Sequence, residues 1–232
     1  MRLFIVLLSF VAFSCSKQLP SPGPGSTTPL GASNYLALGD SYTIGEGVAN
    51  ADRWPVQMAE LARQQNVGLM EPDIIARTGW TTAELADAIA SARLSKTYDL
   101  VSLQIGVNNQ YRGQTVALYR TEFQQLLHTA LRLAGNRSGR VFVLSIPDWG
   151  QSPFAAGRDR ARIGAEIDLF NDVARQECQA LNITFVDITP FTRAAAGDNT
   201  QFARDGLHYS SPQMRRWAQQ ALPIAQAALK TP

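Results

Sequence analysis

Asp205 and His208, in "DGLH", stand three residues apart near one end of the chain, and Ser41, in "GDSY", stands near the other. A serine hydroxyl is a weak nucleophile until a base removes its proton. At neutral pH the natural base is a histidine held by a carboxylate. The short spacing lets Asp205 fold back within one turn and accept the Nδ1 proton of His208, leaving Nε2 free for the serine. Attack on a carbonyl also needs donors for the developing oxyanion, each worth about a hundredfold or more in rate. The backbone N–H groups of Ser41 and Gly79 and the side-chain amide of Asn108 can supply them. Gly79 precedes a capping box, Thr81 with Glu84, whose helix N-terminus favours a nearby anion.

Rival chemistries have weaker footing. The other histidine, His128, is flanked at helical spacing by Thr121, Gln124, Gln125 and Arg132, a solvated face. Two histidines do not furnish the usual histidine-rich zinc site. "GEGVAN" imitates a dinucleotide fingerprint, but Asn50 takes the third glycine position, and G-x-S-x-G is missing. The expected chemistry therefore uses no metal and no cofactor. Asp40 is read as a turn residue satisfying nearby N–H groups, and Cys178 as a helical packing residue.

These residues need elements to carry them. Apolar runs of strand length recur in "YLALG", "PDIIAR", "YDLVSLQIG", "RVFVLSI" and "ITFVDI", each with the unbroken character of a strand covered on both faces. Helical stretches lie between and after them, from "WPVQMAELARQQ" to "SPQMRRWAQQALPIAQAAL". Strand and helix alternate, which predicts an α/β fold with a central five-stranded parallel sheet between helix layers. In such sheets ligands bind outside the carboxyl ends of the strands. Ser41, Gly79, Asn108 and the Asp205–His208 segment all follow such ends or close the chain beside them. Residues 147–158 form the longest irregular stretch. Trp80, Trp149 and Tyr111 are expected near the rim, and Trp54 and Trp217 in the core. Pro212 fits the first turn of the last helix, while Pro223 is expected to kink or end it.

With GDS, GxN and DxxH in this order, residues 35–212 resemble the SGNH or GDSL hydrolase superfamily, whose signature Ser, Gly, Asn and His match Ser41, Gly79, Asn108 and His208. The resemblance implies a flavodoxin-like three-layer αβα sandwich and hydrolysis of esters or thioesters without a metal. The substrate would be an ester of small-molecule size, such as an acylated or acetylated glycan or a lipid ester. Asn109 departs from the aspartate that many members carry there, which bears on local hydrogen bonding rather than on the reacting groups. An acyltransferase using the same serine, or a silent member that only binds glycan or lipid, stands as the alternative.

The 21 basic and 19 acidic residues give a net charge of +2 without like-charge blocks, so no nucleic-acid partner is expected. Residues 1–14 hold Arg2 and then "LFIVLLSFVAF", a secretory signal too short to span a membrane. Cys15 then resembles a bacterial lipoprotein processing site. Residues 15–33, rich in Pro, Gly and Ser, read as a tether, and 34–232 as the hydrolase domain. The expectation is an exported bacterial protein in the cell envelope or periplasm, touching the membrane only through lipid on Cys15. Simple signal cleavage would instead give a secreted chain.

Overall fold

Five strands form one parallel sheet: β1 (Tyr35–Gly39), β2 (Asp73–Ala76), β3 (Leu100–Gln104), β4 (Val141–Leu144) and β5 (Thr184–Val186). The computed structural model describes residues 32–230, so the signal segment, Cys15 and all of the tether but its last two residues lie outside the described residues. Among the described residues eight α-helices accompany the strands: α1 (Ser41–Ile44), α2 (Trp54–Gln64), α3 (Thr82–Ala92), α4 (Val107–Tyr111), α5 (Val116–Leu133), α6 (Arg160–Ala180), α7 (Thr189–Arg193) and α8 (Ser211–Lys230). Helix α2 packs on α8, while α3, α5 and α6 pack in succession, which gives the two helix layers of the expected sandwich. Among the described residues no helix is long and apolar enough to cross a membrane.

Strand order is β2-β1-β3-β4-β5, the flavodoxin-like arrangement, in which the winding reverses between β1 and β3. That reversal opens a crevice at the carboxyl ends of these two strands. Gly39 ends β1 two residues before Ser41, and Gln104 ends β3 four residues before Asn108, the two being register partners. The topology therefore sets both residues at the crevice.

Every residue of β1 and β3 is buried, whereas Asp73 of β2 and Thr184 of β5 are exposed. The unbroken burial read from the sequence thus holds in the sheet centre and relaxes at its edges, where each strand has a single neighbour. Asp73 uses its exposure to pair with Lys96 at 2.8 Å and to accept from the Tyr98 hydroxyl at 3.0 Å. Below the crevice, buried Gln104 accepts from Trp54 Nε1 at 2.9 Å and donates to the Ser145 carbonyl at 3.2 Å. Both bonds keep a polar group inside the core at no net desolvation loss.

Gly39 has a steric reason. A Cβ at that position would lie 2.6 Å from the Gln104 carbonyl oxygen and closer still to the Thr43 hydroxyl. Only glycine lets α1 start so close to β3, and Ser41 is the first residue of that helix.

Pro223 does not end α8, which runs on to Lys230. The proline leaves the Gln219 carbonyl without its helical donor, but both residues are exposed, so water can hydrate it. Beyond the proline, Ala225 and Ala228 pack into the core and hold the last turns in place.

Candidate active site

Asp40 caps α1, its Oδ1 accepting from Tyr42 N at 3.0 Å, and so sets Ser41 at the helix start. It is fully buried, and burial pushes its carboxyl up to about 7 against the opposing hydrogen bond from Tyr42 N. Its role here is the turn role read from the sequence.

On the far side, an isolated bridge between Phe202 and Tyr209 closes a tight loop around Asp205 and His208. Ala203 N donates to the His208 carbonyl at 2.7 Å. Asp205 Oδ1 accepts from Leu207 N and His208 N, both at 2.9 Å, and its Oδ2 lies 2.6 Å from His208 Nδ1. Burial raises the Asp205 carboxyl, but the hydrogen bonds from the His208 ring and the two N–H groups outweigh it and hold the group below its ordinary value. A charged Asp205 fixes the protonated ring nitrogen as Nδ1 and turns Nε2 away from it. The Tyr42 ring supports His208 from the side, with centroids 5.5 Å apart.

A cavity of about 170 Å³ is lined by Ser41, Gly79, Asn108 and His208, together with Tyr42, Tyr111, Trp149 and Phe154. Asp205 stands behind His208, outside the lining. The fold thus brings the four signature residues to one space. Among the described residues no hydrogen bond joins Ser41 Oγ to His208 Nε2, although both line the cavity.

The loop at Gly79 and Trp80 is held by Asn108 of α4 and by Arg112, the residue that follows this helix. Asn108 Nδ2 donates to the Trp80 carbonyl at 2.9 Å, which fixes the amide plane and leaves its second hydrogen for another acceptor. Arg112 Nη2 donates to the Gly79 carbonyl at 2.5 Å. Asn109, fully buried, accepts from Thr82 N at 3.1 Å and donates to the Thr82 hydroxyl at 2.6 Å. Its amide therefore serves local hydrogen bonding, as the departure from aspartate suggested. Gly79 sits at φ +88°, a left-handed conformation that a side chain would strain. The capping box at Thr81 is present, with Thr81 N donating to Glu84 Oε2 at 2.7 Å.

Some rim expectations shift. Trp80 packs its ring on the core, so only its carbonyl serves the site. Tyr111 and Trp149 do line the cavity, whereas Trp54 and Trp217 are core, His128 is exposed, and Cys178 is buried with its thiol pushed up to about 12 by burial. Residues 147–158 are less irregular than expected, containing two short 3-10 turns, the first capped by Asp148. Arg112 escaped the sequence reading, although it follows Asn108 by four, the spacing that shares a helix face. Among the described residues no group of His, Cys, Asp or Glu could hold a metal ion.

The Arg112 contact gives an expected outcome. Arg112→Met, which keeps the stem, lowers kcat for ester hydrolysis about tenfold with KM nearly unchanged, a fraction of what deleting an oxyanion donor costs. A rise in KM at constant kcat would assign Arg112 to ground-state binding instead.

Residues 37–216 match the model of the GDSL-like Lipase/Acylhydrolase family. Among solved structures, esterase EstA from Pseudoalteromonas sp., in a form inhibited by monoethylphosphonate, superimposes with TM-score 0.67 at 14% identity, covering 86% of this chain and 100% of that one. The acetyl xylan esterase AlAXEase gives TM-score 0.66 at 17% identity over 82% of this chain and 98% of that one. A lipase/acylhydrolase from Enterococcus faecalis gives 0.60 at 22% identity, with 84% and 95% covered. At these identities the likeness is one of fold. No curated protein sequence matches the chain.

Proposed function

Because the chain belongs to the GDSL-like Lipase/Acylhydrolase family and is a serine hydrolase of ester bonds, we propose that it works through a Ser41–His208–Asp205 triad and an acyl-serine intermediate. The observation that carries this reading is the 2.6 Å contact between His208 Nδ1 and Asp205 Oδ2, behind a cavity wall that His208 shares with Ser41.

In this mechanism His208 Nε2 takes the Ser41 Oγ proton as Oγ bonds to the ester carbonyl carbon. Charge on the carbonyl oxygen is met by the N–H groups of Ser41 and Gly79 and by Asn108 Nδ2. Asp205 stabilises the imidazolium without taking its proton. The intermediate collapses by breaking the bond to the alcohol oxygen, which leaves with the proton from Nε2. Water then gives a proton to Nε2, attacks the acyl carbon, and Oγ recovers the proton as the acid departs. We also propose export and, through Cys15, a lipid anchor.

The cavity volume sets the acyl preference. About 170 Å³ lies under the roughly 300–1,000 Å³ of pockets that enclose whole small ligands, which favours short acyl groups. In a series of p-nitrophenyl esters from acetate to laurate, kcat/KM should be highest at acetate or butyrate and fall toward laurate. Absence of turnover across the series would overturn the esterase mechanism, and a laurate optimum would overturn the short-acyl assignment.

A further inference from the structure

A second, larger hollow of about 660 Å³ adjoins the catalytic cavity and shares Tyr111 and Trp149 with it as common wall. Its volume falls inside the range that encloses most of a small ligand, whereas the catalytic cavity does not reach it. A substrate that fills both therefore has a small acyl part and a much larger remainder.

The lining of the groove defines that remainder. Its floor is a connected polar row: Trp149 Nε1 donates to Gln110 Oε1 at 2.8 Å, Gln110 Nε2 to Glu166 Oε2 at 2.7 Å, and Arg162 Nε to Glu166 Oε1 at 2.7 Å. Arg158 lies over three rings where the cavities meet, 5.7 Å from Tyr111, 5.4 Å from Trp149 and 4.9 Å from Phe154. Among the described residues no carboxylate pairs with it. With the rings beside it and no carboxylate on its donors, its guanidinium keeps N–H groups for a ligand.

Charge and polarity decide among alcohol classes. Arg158 and Arg162 are balanced by Asp159 and Glu166 in the same lining, so the groove has no excess positive charge for a phosphate-bearing alcohol. Val116, Ile163, Leu169 and Phe170 give the lining apolar faces as well, but the four charged side chains interrupt them, which suits an amphipathic ligand better than an unbroken alkyl chain. Planar hydrogen-bonding side chains beside aromatic rings suit a ligand with apolar C–H faces and a rim of hydroxyls. We propose that this groove binds the alcohol part of the ester and that this part is a neutral carbohydrate, with Arg158 and Glu166 as specificity-determining residues. This rests on the esterase reading and narrows its substrate class.

The test compares kcat/KM for acetylated cello-, xylo-, chito- and malto-oligosaccharides with kcat/KM for p-nitrophenyl acetate, in wild type, Arg158→Ala and Glu166→Gln. At least one acetylated oligosaccharide is expected to exceed p-nitrophenyl acetate. Each substitution is expected to lower that ratio about tenfold or more, the scale of a hydrogen bond to a charged group. The ratio cancels any loss of folded enzyme, which lowers both rates together. No preference for any acetylated oligosaccharide, or a ratio unchanged in both variants, would overturn the groove assignment while leaving the esterase reading intact. Failure to hydrolyse p-nitrophenyl acetate at all would instead overturn the esterase reading.

Discussion

Ser41→Ala is expected to lower kcat for p-nitrophenyl acetate by about 10⁶-fold, the loss that follows removal of the nucleophile from a serine–histidine–aspartate unit. The hydroxyl stands at the start of α1, and among the described residues it makes no hydrogen bond whose loss would touch the fold. Far-ultraviolet circular dichroism should therefore match wild type. Three other hydroxyl-bearing residues line the cavity, Tyr42, Thr78 and Tyr111. Thr78 donates its proton to Glu46 Oε2 at 2.5 Å, so it is engaged away from His208. Residual rate from oxyanion stabilisation alone is expected, because binding and charge stabilisation persist without the nucleophile. A variant retaining kcat within about tenfold of wild type would move the covalent step to another group.

Asp205→Asn is the second large effect, with kcat falling about 10⁴-fold while the fold is kept. The structural reason is specific to this loop. Oδ1 accepts two backbone N–H groups, and an asparagine oxygen can keep both bonds. The substituted amide nitrogen then faces His208 Nδ1 where a carboxylate oxygen lay at 2.6 Å. A donor in that place favours the tautomer with its proton on Nε2, which cannot accept from Ser41. KM should move far less than kcat, since Asp205 does not line the cavity. A drop of only a fewfold would mean that His208 is oriented by another group, and its Tyr42 contact would be the first to test.

The candidate site residues were legible because each is tied to a local signal. The Asp205–His208 pair lies within a single short loop, Ser41 follows an apolar strand, and the Thr81–Glu84 box marks the helix beyond Gly79. The parallel sheet was implied by strand–helix alternation and its flavodoxin-like arrangement by the family resemblance, and the buried β1 and β3 carried unbroken apolar runs. Features assembled across the chain left no such mark. The wall of the cavity joins Tyr111 from the end of α4, Trp149 and Phe154 from residues 147–158, and Leu207 from the Asp205–His208 loop. Nothing in any one segment specifies the others.

Pro223 does not end α8, one of the two outcomes expected of it: its cost falls on a solvated helix face, while buried Ala225 and Ala228 hold the turns that follow. Arg112 had a readable spacing from Asn108, but its partner, the Gly79 carbonyl, is a backbone group without sequence identity. Trp80, expected near the rim, stands beside the cavity through its carbonyl, which accepts from Asn108, while its half-buried side chain packs against the core.

Covalent trapping tests the central claim most directly. Wild-type protein treated with diethyl p-nitrophenyl phosphate and mapped by peptide mass spectrometry is expected to carry the diethylphosphoryl group on Ser41, in step with loss of esterase activity, and Asp205→Asn is expected to react far more slowly. Phosphorylation of a different residue in the inactivated enzyme, or inactivation with Ser41 unmodified, would contradict the account.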